Sequence, residues 1–255
     1  SSAHPDITKS NEYISQLLFD DYFQASVAAL YVMDELFVDR VGVVIDEQNP
    51  HSLYLATEFI TKFQSIGGAV VEIDMVTDET LLSEKLQFVQ NNQDIDFLYT
   101  PLDADLMLSL ARTLNAIDWH PQMMGSDSLQ AAIVLQSPDD LGLVNGMLAT
   151  DPYGHFQPET EYGRKISRLY HDPDFEATGT VFASLGAEGT SLLLSAMNRC
   201  YGKDDRMCLN KEIRSTRNFS GIFGKIDIRH NGKAERAIFI NVIDGVHLRA
   251  KVKVH

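Results

Sequence analysis

From Asp21 to Asp127 the chain alternates short apolar runs with longer stretches whose apolar residues recur at helical spacing. Arg40-Val-Gly-Val-Val-Ile-Asp46 is one such run, continuous and ending in an acid. A strand covered by helices on both faces of a parallel sheet has this composition. Asn49-Pro50 marks a turn, and Ser52 to Ile66 carries Leu55, Phe59, Ile60 and Phe63 on one side of a helix. Gly67-Gly68 ends that helix, and Ala69 to Val76 is the next strand. The unit repeats: a helix from Thr77-Asp78-Glu79 to about Asn91, a strand over 96–102, a helix over 103–117 and a strand over 122–127. Ahead of the first strand, Tyr22 to Leu36 places Phe23, Val27, Leu30, Met33 and Leu36 on one helical face. Strand–helix alternation with short connections predicts an α/β domain with a parallel sheet.

The second half reads differently. Asn145 to Asp151 is a strand candidate, and helices are expected over 159–170, 180–199 and 208–216. The end is β-like: Gly224 to Arg229, a turn at His230-Asn231-Gly232-Lys233, Ala237 to Ile243, then a tight turn at Asp244-Gly245. Val246 to Val254 alternates in period two and fits an edge strand.

With 255 residues, 44% of them hydrophobic and 22% charged, the chain can bury a sizeable core. Its 36 acids against 21 bases leave a formal charge of -15. That balance disfavours nucleic acid, which needs a basic face, and anionic lipid for the same reason. No run of 18 apolar residues is present, so no membrane-inserting segment is expected. Residues 1–127 hold 21 acids and 5 bases, and residues 128–255 hold 15 and 16. Such asymmetry fits two differently charged lobes or a solvated acidic surface on one half.

Motifs for chemistry are missing. The loop Glu47-Gln48-Asn49-Pro50-His51 has no glycine and carries an acid that would repel phosphate, which argues against a dinucleotide cofactor. There is no P-loop and no Gly-x-Ser-x-Gly, and the histidines lack metal-ligand spacing. Neither catalysis, cofactor nor metal is expected. Cys200 and Cys208 flank a charged, glycine-containing turn, and read either as a local disulfide or as two thiols.

What remains are loops at the carboxyl ends of the expected parallel strands, where open α/β sheets bind ligands. They are Asn49-Pro50-His51-Ser52, Pro101-Leu102-Asp103 and Gly125-Ser126-Asp127-Ser128. Asp127 either projects into a crevice, where its carboxylate suits a ligand ammonium, or caps the following helix.

The order of these segments resembles the type 1 periplasmic solute-binding proteins, in the branched-chain amino acid and amide-binding group of ABC importers. The segments that carry the resemblance are Arg40 to His51, Gly67-Gly-Ala-Val-Val-Glu72, Asp94-Ile-Asp-Phe-Leu-Tyr99 and Met124-Gly-Ser-Asp127. Phe219-Ser-Gly-Ile-Phe-Gly-Lys-Ile-Asp227, with Asn231-Gly232 after it, is the most specific. The opening Ser1-Ser-Ala-His-Pro-Asp-Ile-Thr8 is similar to a small-residue ligand loop.

The resemblance implies an α/β fold of two hinged lobes that close on a small polar solute without catalysis. It places Ser1 and Ala3 on a lobe-one loop, His51 where a tyrosine is usual, Leu102 or Asp103 at another contact, and Asp127 against an ammonium. Ala187-Glu188-Gly189 stands where Tyr-Asp-Ala is common. Lobe one would comprise residues 1–16 and 151–235, and lobe two residues 17–150 and 236–255. The beginning of lobe one would be missing, as in an incomplete lobe or a piece of a longer polypeptide. The implied setting is the periplasm. The implied partners are a small-molecule ligand and an ABC permease or, alternatively, a fused membrane sensor of a chemosensory or two-component receptor.

Overall fold

The computed structural model describes residues 3–128, 142–154, 160–170, 181–202, 205–245 and 247–254. The chain forms two units. Unit 1 is Ser1–Asp20 and Pro152–Ile238, with His255, and unit 2 is Asp21–Asp151 and Phe239–Val254. The changes from one unit to the other fall after Asp20, Asp151 and Ile238. Unit 2 holds 22 acids and 7 bases and unit 1 holds 14 of each, so unit 2 carries the entire net charge of -15.

Unit 2 is built on a seven-stranded sheet. Its strands are β1 (Arg40–Ile45), β2 (Ala69–Asp74), β3 (Phe97–Thr100), β4 (Gln122–Gly125), β5 (Leu148–Asp151), β9 (Ile238–Asp244) and β10 (His247–Val254). Their order is β10-β9-β5-β4-β3-β1-β2. The pairs β1/β2, β1/β3, β3/β4 and β4/β5 are parallel, while β9 lies antiparallel to β5. Between the parallel strands come α2 (Pro50–Ser65), α3 (Glu79–Asn92) and α4 (Ala104–Ala116), and α1 (Asp21–Leu30) precedes β1. This is the βαβ arrangement that strand–helix alternation calls for, since parallel strands need a crossover and the crossover covers the sheet.

Local chemistry sets the boundaries. Pro50 opens α2, and Asn49 Oδ1 accepts from the His51 and Ser52 backbone N–H groups, closing two of the free donors at that end. Gly67 ends α2 at φ +97°, a conformation that disfavours a Cβ, and Gly68 lies so close to Phe63 that any Cβ would strike its ring. The core that follows from the strand composition contains Val44, Leu98, Leu86, Met107, Leu110 and Leu102.

Two sequence expectations change here. The helix expected over 22–36 ends as α1 at Leu30 and continues as one wider turn over Tyr31–Glu35, closed by Leu36 N–H donating to Tyr31 O. Its buried side is Asp21, Gln24, Ala25, Val27, Ala28 and Val32, while Leu30 is exposed. The buried side thus carries the small Ala25, Ala28 and Ala29 beside Val27 and Val32, and α1 packs against α2.

Unit 1 contains α5 (Glu161–Tyr170), α6 (Val181–Arg199), α7 (Arg206–Arg214) and the strands β6 (Phe219–Ser220), β7 (Lys225–Ile228) and β8 (Ala234–Glu235), which pair antiparallel in that order. The turn at 230–233 joins β7 to β8, with Gly232 at φ +81°. A small core joins Leu192 of α6 to Ile226, Ile228 and Ala234. Cys200 and Cys208 are bonded, tying the end of α6 to α7. Beneath α6 lies a buried ion pair: Arg236 donates to Glu188 Oε2 at 2.8 Å. Glu188 also accepts from the Tyr153 hydroxyl at 2.7 Å and from the Ile222 N–H at 2.6 Å. That saturates a carboxylate which burial would otherwise make costly. Among the described residues no helix is long and apolar enough to cross a membrane.

Candidate functional site at the strand ends of unit 2

The loops after β1, β3 and β4 come together at the carboxyl edge of the parallel sheet. Asn49 joins the first two: its Oδ1 caps α2, and its Nδ2 donates to Asp103 Oδ2 at 2.8 Å. Asp103 occupies the N-cap position of α4 but makes no side-chain cap, so its carboxylate is engaged sideways by Asn49 instead. The third loop is tied to the second through Ser128, whose hydroxyl donates to the Leu102 carbonyl at 3.3 Å and lies 2.7 Å from the Ser126 hydroxyl.

Asp127 is partly buried and accepts a hydrogen bond on Oδ1 from Gln24 Nε2 at 2.9 Å. The same nitrogen donates to Thr150 Oγ1, also at 2.9 Å. Burial pushes the Asp127 carboxyl above the usual carboxylate range, against the pull of the Gln24 hydrogen bond and of His51. His51, in the first turn of α2, sits with Nε2 3.4 Å from Asp21 Oδ1, an ion pair when the ring is protonated. Asp21 is 2% exposed and begins α1. The contact with Asp21 raises the His51 pKa above its ordinary value, with Asp127 and Asp103 adding to it and burial opposing. Tyr99 of β3 stacks on Phe59 with ring centroids 4.0 Å apart, and its buried hydroxyl has no hydrogen-bond partner. Burial, with Asp127 and Asp21 nearby, strongly disfavours its phenolate.

The site is thus acidic: three carboxylates surround one imidazole. Among the described residues neither Asp21 nor Asp127 pairs with a lysine or arginine. Buried carboxylates lacking a resident cation are suited to receiving one. Among the described residues no group of three or more His, Cys, Asp or Glu side chains is placed to hold a metal ion.

The structure gathers His51, Asp103 and Asp127 in this one region. Leu102 is placed otherwise: its side chain is 1% exposed within the core, and only its carbonyl reaches the loop cluster. Ala3 belongs to unit 1, and Ser1 lies outside the described residues. Asp21, Gln24, Tyr99 and Thr150 were not singled out from sequence. The signal was present for two of them, since Asp21 and Gln24 sit three apart on one face of α1, a polar pair on the side turned inward.

No protein-family model and no curated protein sequence matches the chain. Solved structures do. A leucine-binding protein, LivK, from Thermotoga maritima superposes with a TM-score of 0.85 at 24% identity, over 100% of this chain and 71% of that one. The chain has the fold of the type 1 periplasmic solute-binding proteins. The branched-chain amino acid transporter substrate-binding protein LivJ from Streptococcus pneumoniae, solved with isoleucine, matches at a TM-score of 0.81 and 14% identity, again over 100% of this chain and 71% of that one. A solute-binding protein from Rhodopseudomonas palustris, solved with 4-hydroxybenzoate, matches at 0.77 and 17% identity, over 99% of this chain and 69% of that one. Structures with this fold have thus been solved with an amino acid and with an aromatic carboxylic acid.

Proposed function

We propose that the protein binds a small polar solute, an amino acid or amide-like compound, for delivery to an ABC importer, without chemical change to the solute. One observation carries this reading: Asp127, with Asp21 and His51 nearby, presents a carboxylate at the strand ends that, among the described residues, no lysine or arginine pairs with. An ammonium or amide nitrogen supplies the missing donor through a charge-assisted hydrogen bond. His51 and Asp103 border the same region and would contact the rest of the solute. A periplasmic location agrees with the bond between Cys200 and Cys208, which persists in oxidising compartments.

Titration calorimetry with L-leucine, L-isoleucine, an aliphatic amide and 4-hydroxybenzoate tests the reading. Binding of an amino acid or the amide is expected, and Asp127→Ala should lower that affinity at least about tenfold, as loss of a hydrogen bond to a charged group does. An unchanged affinity would remove Asp127 from the site. Exclusive binding of 4-hydroxybenzoate would sink the nitrogen-recognition reading while leaving a solute-binding protein.

A further inference from the structure

Gln24 is fully buried in α1, yet its amide is only half satisfied. Nε2 donates to both Asp127 Oδ1 and Thr150 Oγ1, while Oε1 is buried without a partner. The chemistry of the neighbours fixes which branch faces which way. An ionised carboxylate only accepts, so the amide nitrogen must point at Asp127. A buried carbonyl oxygen left unpaired destabilises a fold, and an apolar side chain of similar size would avoid that loss. It would also leave the Asp127 carboxylate and the Thr150 hydroxyl without this donor, so what the glutamine contributes lies in its nitrogen rather than its oxygen.

Thr150 belongs to β5, held in register between β4 and β9, so it fixes the rotation of the Gln24 amide. The amide in turn holds Oδ1 of Asp127. Among the described residues Oδ2 takes no side-chain hydrogen bond. We propose that Gln24 is the positioning residue of this site, orienting the Asp127 carboxylate toward the solute's nitrogen while leaving its own carbonyl unpaired. The inference rests on the solute-binding reading of the same site.

Gln24→Leu and Gln24→Met in the full chain test it, with two independent readouts. In the free protein, carbon-detected NMR follows the Asp127 carboxyl as pH is varied. Its titration midpoint should rise in both variants, because a hydrogen bond favouring the charged form is gone, and by linkage the melting temperature should fall at neutral pH and fall less in acid, where the carboxyl is protonated. An unmoved midpoint overturns the proposal, as does a stability loss equal in acid and at neutral pH or a failure of both variants to fold, since the amide would then be a structural group. With L-leucine as the calorimetric probe, affinity should fall about tenfold in the variants, and equal affinity overturns it. If L-leucine fails to bind the wild-type chain, the amino acid reading falls, and the free-protein midpoint still decides the role of Gln24.

Discussion

His51 takes its ionisation from a residue thirty positions away in sequence. The Asp21 carboxylate at 3.4 Å raises its pKa above 6.5 in the folded chain. The stability this contributes is complete below the unfolded value and is lost as pH rises through the higher folded one. Asp21→Asn should therefore bring the His51 ring titration back toward its ordinary value, as read by NMR of the ring proton. The associated stability deficit should be present in mild acid and vanish in mild base. Asp127 behaves in the opposite functional sense. Burial raises its pKa above 3.8, so its charged form is disfavoured in the folded state. Asp127→Asn should raise the melting temperature at neutral pH, and the gain should shrink as pH falls toward the unfolded value. No such gain at neutral pH would mean that burial does not act on this carboxyl. At this scale the sequence was informative only for residues in loops at strand ends. His51, Asp103 and Asp127 stand out because a polar residue there has no packing task. Gln24 and Thr150 do not, because a polar residue inside an element reads as solvent-facing until tertiary packing turns it inward.

Among the elements, legibility followed hydrophobic period. The runs at 40–45, 69–74, 97–100 and 122–125 became parallel strands because continuous apolar sequence can be buried on both faces. The alternating tail became β10 at the outer end of the sheet. The face of α1 differs from the apolar stripe for a physical reason: helical spacing picks out Leu30, which is exposed, whereas the small Ala25, Ala28 and Ala29 are buried beside Val27. In unit 1 the helices α6 and α7 are joined by a bond across a sequence separation of 8. Closing a loop of that length stabilises a fold by about 2.5 kcal/mol in the chain-entropy description. Replacing both cysteines with serine should lower the unfolding free energy by roughly that amount in denaturant titration, and a change near zero would mean that α6 and α7 are held by packing alone.

For the molecule as a whole, no periodicity in the sequence states which strands share a sheet. Strand β5 and strand β9 pair across a long intervening stretch that belongs to the other unit, as in Ala149 opposite Asn241. The charge division was visible at the level of halves, and assigning residues to units sharpens it to -15 against zero. The interruption of unit 2 by unit 1 makes a strong prediction for truncation. Removing 239–255 should leave β5 with an open hydrogen-bonding edge, and the shortened chain should aggregate or bind a chaperone where the full chain is monodisperse by light scattering. A soluble, folded truncation would show that β4 and β5 need no cover.

The β5–β9 pairing also has a consequence in time. Synthesis runs from the first residue to the last, so the parallel strands β1 to β5 leave the ribosome well before β9 and β10. Through that interval all of Pro152–Ile238 must be made while β5 waits with one side unfilled. The final strands of the described chain therefore act as a latch, and the sheet that presents Asp127 is finished only when translation has passed Val254.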